Sequence, residues 1–214
     1  RILAATREIE SKNTELEQQL HESREQIEGL HDSLEAIRFE SLTDQLTGIA
    51  NRKHFDRRLH EAVEIANAEA RRLCLAFCDI DHFKKFNDTW GHPTGDQVLR
   101  LVGATLKGMA NAHDLPARFG GEEFAIIIFD QDIERAAEWA DRVRTAVMEK
   151  ELVRKSTGDS LGRVTMSAGV TSYVPGETVE SFLERADQLL YDAKRTGRNR
   201  VVSVASAKTP AKVA

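Results

Sequence analysis

The chain is organised around the segment Arg118-Phe119-Gly120-Gly121-Glu122-Glu123-Phe124, which runs directly into Ala125-Ile126-Ile127-Ile128-Phe129. The run of β-branched and aromatic residues predicts a buried strand. The Gly-Gly pair before it predicts a two-residue hairpin turn, because glycine tolerates positive φ and has no Cβ to obstruct a ligand. Side chains alternate along a strand, so Glu122 and Glu123 are expected to point to opposite sides of the sheet edge. Taken alone, the pair is equally consistent with a solvated acidic turn.

A second apolar segment also ends in carboxylates. Residues 73–78 are apolar and lead into Asp79 and Asp81. Lys84 follows, and then a predicted turn that contains Gly91 and Gly95. Two strands that end in acids, one of them with a nearby lysine, suit Mg²⁺ bound by one or two carboxylates and by substrate phosphates. This arrangement is typical of a palm domain that processes nucleotides.

With these segments in view, the chain resembles the GGDEF-domain diguanylate cyclases over residues 42–204, with residues 120–124 as the GGEEF variant of the family signature. The resemblance implies an α+β, palm-like nucleotide-cyclase fold with a central, largely antiparallel sheet covered by helices. Five segments carry it, in the family's order and spacing: Asp44-Gln45-Leu46-Thr47 with Asn51-Arg52, residues 79–96, the signature, Ser167-Ala168-Gly169-Val170, and residues 186–200.

Composition narrows the class of protein. The 214 residues carry a formal net charge of −5, which argues against a nucleic-acid or membrane-surface binder held by bulk charge. No apolar run approaches 18 residues and no signal peptide is visible. Cys74 and Cys78 lie on one face of a predicted strand, too far apart to bridge, so we expect reduced core thiols in a cytoplasmic protein. Because the chain begins at Arg1, we expect an upstream sensor or membrane anchor in a longer protein.

Residues 1–41 predict a parallel coiled coil. One heptad frame places apolar residues at eight of twelve a and d positions: d at Ile2, Ile9, Leu16, Ser23, Leu30 and Ile37, and a at Thr6, Asn13, Leu20, Ile27, Leu34 and Ser41. Asn13 suits a register-fixing polar a position, and Lys12 at g would pair with Glu17 at the following e of the partner. The alternative is a single amphipathic helix packed on its own domain. The predicted domains are therefore 1–41, 42–204 and a disordered tail, 205–214.

Strands and helices alternate through the domain. We predict helices at 52–70, from about 83, 94–110, 132–150 and 178–195, and strands at 73–79, 163–170 and 200–204 beside the signature hairpin. Helix 52–70 would bury Phe55, Leu59, Val63 and Ala66, and helix 94–110 would bury Val98, Leu101, Val102 and Leu106. Such an order predicts a sheet covered by helices mainly on one face.

The resemblance also implies roles for individual residues. Asp79, the backbone carbonyl of Ile80 and Glu122 would bind Mg²⁺, or Mn²⁺ as an alternative, unless Asp79 only caps the next helix. Glu123 would deprotonate the attacking 3′-hydroxyl or hold a second metal ion, and the sequence does not separate these roles. The expected substrate-binding residues are Phe83, Lys84, Asn87, Asp96, Gly120, Gly121, Lys194 and Arg198.

Within that set the residues divide by chemistry. Lys84, Lys194 and Arg198 would hold phosphates, and the four-residue spacing of the last two predicts one shared helix face. Asn87 and Asp96 would recognise the donor and acceptor edge of guanine, although both types also cap turns in any protein.

One segment departs from the family pattern. Many members carry an Arg-x-x-Asp product-inhibition motif upstream of the signature, where this chain has Asn111-Ala112-His113-Asp114. Asparagine lacks the planar fork with which arginine binds a guanine edge or a phosphate, and Arg142 would be the secondary arginine of that site. We therefore expect weak or absent product inhibition.

The resemblance implies an enzyme that condenses two GTP molecules into cyclic di-GMP and two pyrophosphates across a homodimer joined by its coiled coil. Rotation or a register change in that stalk would then regulate activity. The rival function is a catalytically silent receptor for GTP or cyclic di-GMP. The acids at positions 79, 122 and 123 favour the enzyme. A purely structural coiled-coil protein would leave residues 73–200 without a purpose.

Overall fold

The structure is a computed structural model that describes residues 42–152 and 160–204, together with residues 12, 18, 20, 21, 23, 24, 26 and 27. The chain divides into two compact units, Arg1–Leu42 and Thr43–Ala214. The eight described residues of the first unit before residue 42 are helical, and Leu20 and Ile27 expose 55% and 63% of their surface. Most of the predicted coiled coil and the whole tail 205–214 lie outside the described residues.

The second unit alternates strands and helices. Its strands are β1 (Ala50–Asn51), β2 (Leu73–Ile80), β3 (Leu115–Arg118), β4 (Glu123–Phe129), β5 (Met166–Ser172) and β6 (Val201–Val204). Its helices are α1 (Arg52–Glu69), α2 (Phe83–Trp90), α3 (His92–Met109), α4 (Ile133–Glu149) and α5 (Val179–Arg195). The bounds of the predicted helices are therefore close to those observed.

The six strands form one sheet in the order β1-β3-β4-β2-β5-β6. The three central pairs, β3/β4, β4/β2 and β2/β5, are antiparallel, whereas the edge pairs β1/β3 and β5/β6 are parallel. This is the α+β fold with a largely antiparallel central sheet that the sequence predicted. Strand β2 lies at its centre, and all eight of its residues are buried.

Helices cover both faces of the sheet, so the prediction of helices mainly on one face is wrong. Cys74, Ala76 and Cys78 of β2 pack in one core with residues of α3 and α4. Leu75 and Phe77, from the alternate positions, pack in a second core with residues of α1 and α5. A strand that is apolar at every position has two faces to remove from water, and each face needs its own layer of helices.

Two strands differ from prediction. Strand β5 begins at Met166 rather than at residue 163, and in the segment just before it Thr165 directs its carbonyl and its hydroxyl to Asp81. Strand β1 has only two residues, too few to produce a periodic signal. In α3, Leu99 is buried and Leu101 only partly so, whereas the four residues predicted to be buried in α1 are all buried.

Cys74 and Cys78 are free and buried on the same face of β2, as predicted. Burial raises the pKa of both thiols to about 12. They are therefore neutral core residues rather than nucleophiles. Among the described residues, no helix combines the length and the apolar character needed to cross a lipid bilayer.

Gly169 allows β5 and α5 to approach each other closely. A Cβ at this position would lie 2.3 Å from the backbone nitrogen of Leu190 and 2.4 Å from the carbonyl oxygen of Ala186. We expect Gly169→Ala to lower the free energy of unfolding by about 3 kcal/mol or more, because backbone atoms would have to move. Urea unfolding measures this. In the control Gly108→Ala, the added Cβ meets nothing within 4 Å, and we expect a gain of about 0.5–1 kcal/mol. Equal stabilities for the two variants would contradict the assignment.

Candidate active site at one end of the sheet

The predicted acids meet at one end of the β2–β4 pair. Asp79 and Glu123 are directly opposite each other in the antiparallel register. The Ile80 backbone N–H donates to the Glu122 carbonyl oxygen at 3.3 Å, which holds Glu122 beside the same strand end. Asp79 is only 5% exposed, and Glu122 and Glu123 are partly buried. Three carboxylates thus share one poorly hydrated region.

Lys194 supplies positive charge to this region. Its Nζ lies 2.8 Å from Oδ2 of Asp79. Burial raises the pKa of Asp79, and the charges of Glu123 and Asp81 add to this, while Lys194 acts in the opposite direction. Burial and the charge of Asp79 likewise raise the pKa of Glu122. The acids therefore repel one another, and a cation bound among them would relieve the repulsion.

Asp79 does not cap the following helix. The residue at the N-terminal cap of α2 is His82, in a left-handed conformation with φ of 58° and with no side-chain capping hydrogen bond. The capping alternative for Asp79 is therefore wrong, and its carboxylate is directed to Lys194.

The Gly-Gly turn differs from the predicted one. Strand β3 ends at Arg118 and β4 begins at Glu123, so the loop has four residues, and neither glycine has positive φ. At position 120 the missing Cβ leaves room for the Glu123 carboxylate, because a Cβ there would lie 2.5 Å from Oε2 of Glu123, which would have to move. A Cβ on Gly121 would meet nothing within 4 Å, so this side of the loop is open to a ligand.

Arg118 binds the backbone of the Gly-Gly loop, a role that the sequence did not predict. Its guanidinium donates to the Gly121 carbonyl at 2.8 Å and to the Gly120 carbonyl at 3.2 Å, and it pairs with Asp44 at 3.2 Å. Both side chains of the pair are largely buried, at 18% and 22% exposure. Asp44 belongs to a segment that carries the family resemblance and Arg118 lies two residues before the signature, but their separation in the sequence gives no sign of the pairing.

Helices α2 and α3 pack against each other around Asn87 and Gly95. The side-chain oxygen Oδ1 of Asn87 is buried without a hydrogen-bond partner. Gly95 makes room for it, since a Cβ there would lie 1.8 Å from this oxygen and 3.2 Å from the ring of Phe83. Asp96 follows Gly95 in α3 and is partly buried. The unsatisfied amide of Asn87 indicates a place for a polar ligand. Asn87 and Asp96 both lie within helices, so their alternative as turn caps is wrong.

The three predicted phosphate-binding cations lie in three places: Lys84 in α2, Lys194 at the end of α5, and Arg198 in the turn after it. Lys84 is exposed in the first turn of α2. Helix α5 ends at Arg195, so Arg198 lies outside it. The prediction that Arg198 and Lys194 share one helix face is therefore wrong. The reason is Gly197, whose φ of 123° turns the chain, so that the Arg198 backbone N–H donates back to the Ala193 carbonyl at 3.0 Å. This is a Schellman helix end.

The residues predicted for the inhibitory site lie in separate parts of the domain, before β3 and on α4. Asp114 is buried; its Oδ1 accepts from the Phe129 backbone N–H at 3.0 Å, and its Oδ2 accepts from the Asn111 side-chain amide at 2.7 Å. Arg142 lies exposed on α4 and lines a different cavity, with Val201 and Ser203. The carboxylate of Asp114 is thus occupied by internal hydrogen bonds.

The donor set fits a hard cation that is completed by a ligand. Within the described parts of the chain, no three His, Cys, Asp or Glu side chains already surround a point suited to a metal ion. Mg²⁺ needs only one or two carboxylates beside phosphate oxygens and water. The repelling acids at positions 79 and 122, with the Lys194 ammonium standing beside one of them, meet that requirement.

Comparison with known proteins identifies relatives. Residues 41–200 match the family model described as diguanylate cyclase, GGDEF domain. Diguanylate cyclase VdcA of Vibrio cholerae is 33% identical over 94% of the chain, and diguanylate cyclase DgcP of Pseudomonas aeruginosa is 37% identical over 91%. The chain spans only 58% and 28% of the lengths of these two relatives.

Solved structures agree with these relatives. The coiled coil and GGDEF domain of DgcB from Caulobacter crescentus, in complex with c-di-GMP, matches with a TM-score of 0.84 and 43% identity, covering 88% of this chain and 99% of that one. Diguanylate cyclase SiaD from Pseudomonas aeruginosa, in complex with its activator SiaC, matches with a TM-score of 0.75 and 33% identity, covering 94% and 76% of the two chains.

The raised pKa of Glu122 makes stability depend on pH. Because the pKa of Glu122 is higher in the folded state than in the unfolded state, the protonated carboxyl stabilises the fold at low pH. That stability is lost as the pH rises through the folded-state pKa, so ionised Glu122 destabilises the fold at pH 7. We expect Glu122→Gln to raise the free energy of unfolding at pH 7 by up to about 1 kcal/mol without divalent metal, and the gain to disappear below the ordinary pKa of 4.5. Urea unfolding across this range checks it. Glu138→Gln, on the exposed face of α4, is the control; a pH-independent gain at position 122 would contradict the prediction.

Proposed function

The chain belongs to the GGDEF-domain family of diguanylate cyclases, and from that premise we propose that it condenses two GTP molecules into cyclic di-GMP and two pyrophosphates. The proposal is supported by one observation above all: Asp79, Glu122 and Glu123 meet Lys194 at one end of the β2–β4 pair. Substrate and product come from the names of relatives that the chain covers only in part. The residues around this end of the sheet suit a nucleoside triphosphate.

Asp79, Glu122 and the Ile80 carbonyl would hold Mg²⁺, with Mn²⁺ as an alternative. When bound, the ion would neutralise charge that develops on the reacting phosphoryl group. The residues prepare this position by holding two carboxylates whose pKa values are raised by burial and mutual repulsion. Lys194, now 2.8 Å from Asp79, is close enough to contact phosphate oxygens of the same substrate.

The remaining residues would orient GTP. The unsatisfied oxygen of Asn87, with Asp96 nearby, provides an acceptor for the N–H groups of guanine, while the amide nitrogen provides a donor for O6. Lys84 and Arg198 are exposed and would hold phosphates, and Gly121 leaves the loop open. Holding the base and the phosphates separately fixes the α-phosphorus for in-line attack.

Each domain would hold one GTP and therefore half of the reaction. The 3′-oxygen of one GTP forms a bond to the α-phosphorus of the other, and the bond to the departing pyrophosphate breaks; the second linkage forms in the same way. Glu123 would accept the proton of the attacking hydroxyl or hold a second metal ion. Both roles use a carboxylate next to Asp79, where the strand register has Glu123.

The first test is incubation of the purified chain with GTP and Mg²⁺, followed by chromatographic separation of the nucleotides. We expect cyclic di-GMP from the parent, and less than about one hundredth of that rate from the Glu122→Ala, Glu123→Ala double variant, since it lacks metal ligands and base. The double variant Glu134→Ala, Glu138→Ala, at exposed positions of α4, should remain active. GTP binding without any product from the parent would reject the cyclase and favour the receptor.

We further propose that the first 41 residues join two chains as a parallel coiled coil. Leu20 and Ile27, at successive a positions, are more than half exposed in the single chain, as expected of side chains that a partner would cover. The similar structure from Caulobacter crescentus contains a coiled coil together with its GGDEF domain. Joining two domains raises the effective concentration of one half-site near the other.

Removal of residues 1–42 should therefore slow product formation most strongly at nanomolar enzyme, where the separated domains rarely meet. The rate per domain should recover as the concentration rises, which a dilution series of both chains would measure. The parent should change less over the same series because its halves remain joined. Equal rates at nanomolar concentration would contradict the role of the stalk.

Weak or absent product inhibition is proposed from position 111. Asn111 cannot offer the bidentate fork of arginine, and its amide already donates to the buried Asp114 carboxylate at 2.7 Å. We expect Asn111→Arg to tighten inhibition by cyclic di-GMP by about tenfold or more. Asn111→Lys, which adds charge without the fork, is the control and should have a smaller effect. Titration of the parent measures the starting value, and submicromolar inhibition there would contradict the proposal.

A further inference from the structure

Asp81 lies two residues beyond Asp79 and is almost completely buried, yet it has no part in the mechanism above. It is 8% exposed. Its Oδ1 accepts from the Ser167 hydroxyl at 2.7 Å, and its Oδ2 accepts from the Thr165 hydroxyl at 2.7 Å and from the Asn199 backbone N–H at 2.9 Å. A buried carboxylate with three donors is fixed in one position.

The third of these donors belongs to a strained turn. After Gly197, Arg198 and Asn199 both have left-handed backbones, with φ of 57° and 47°. This conformation is sterically unfavourable for a residue with a Cβ, although asparagine tolerates it better than most. Two in succession persist only where surrounding contacts impose them. The turn carries Arg198 and directly follows the helix end that carries Lys194.

Two elements impose this conformation. From the turn that directly follows β2, the Asp81 carboxylate accepts the Asn199 N–H. From α4, the Arg144 guanidinium donates to the Asn199 side-chain oxygen at 2.7 Å, and the amide nitrogen of Asn199 contacts Sδ of Met148 at 3.3 Å. The side chain of Arg144 is itself only 15% exposed. Asn199 is thus held through its backbone by one element and through its side chain by another.

We propose that Asp81 is a positioning residue that acts through the Asn199 N–H to fix the turn carrying Arg198 relative to Asp79. The inference rests on the proposed function, in which Arg198 and Lys194 hold the phosphates of GTP. Asp79 lies near the end of β2 and Asp81 directly follows the strand, two residues further along the chain. The distance between the metal position and the phosphate-binding cations is therefore set within one rigid strand end, as tight orientation of a substrate requires.

The test compares GTP affinity in the full chain for Asp81→Asn, Arg198→Ala and the double variant, using a fluorescent GTP analogue with Mg²⁺. We expect Asp81→Asn to weaken binding by about tenfold, the scale of one lost charge-assisted hydrogen bond. In the Arg198→Ala background the same change should weaken binding less than about twofold, because the residue through which Asp81 acts is gone. Additive effects would overturn the proposal.

Thr165→Val is the matched control. It removes another donor to the same oxygen of Asp81 but leaves the Asn199 bond and the local charge unchanged. It should lower stability in urea without a comparable loss of GTP affinity. Hydrogen exchange of the Asn199 amide supplies a readout independent of turnover, and we expect faster exchange in Asp81→Asn but not in Thr165→Val. Equal GTP affinities for these two variants would contradict the proposal.

If Asp81→Asn does not fold, a second variant tests the contribution of the same turn to GTP binding. Arg144→Gln loosens the turn from α4 and leaves the acids of the strand end intact. It should speed exchange of the Asn199 amide and weaken GTP binding in the parent background only. No change in either would overturn the proposal. A parent chain that neither binds GTP nor makes product would instead reject the proposed function, so the two failures are distinguishable.

Discussion

The antiparallel pairing of β2 with β4 is the constraint on which the rest of the structure depends. The pairing runs from Leu73 opposite Phe129 to Asp79 opposite Glu123 without interruption. Both strands are buried along most of their length, so the apolar residues hold the register from two faces at once. A shift by one residue would move every core side chain to the wrong face and would also separate the two acids.

This pairing brings acids together at a real energetic cost. Burial and the charges of neighbouring acids raise the pKa of Asp79 and of Glu122, so the ionised form of each carboxylate is destabilised. The apolar run of β4 and the two cores compensate for that cost elsewhere in the fold. A cation placed among these acids would therefore relieve their repulsion, which is the basis of the proposed metal site.

The loops at this end of the sheet are held by polar contacts from distant parts of the chain. Arg118 connects Asp44 to the carbonyls of Gly120 and Gly121, and Asp81 connects β5 to the turn after α5. Each anchor is buried or nearly so, where an unmade hydrogen bond is expensive. These contacts hold the loops next to the acids of the β2–β4 pair.

The sequence by itself determined the sheet, the helices and the cluster of acids, because apolar periodicity and strand-ending carboxylates are local patterns. Glu122, Glu123 and Asp79 were predicted, and their meeting follows from pairing two buried strands. Local patterns carry no information on contacts across long separations or on backbone torsions. Tertiary structure alone therefore decided that helices cover both faces and that Gly120 makes room for Glu123. It likewise decided that Asp81 holds a turn 118 residues away.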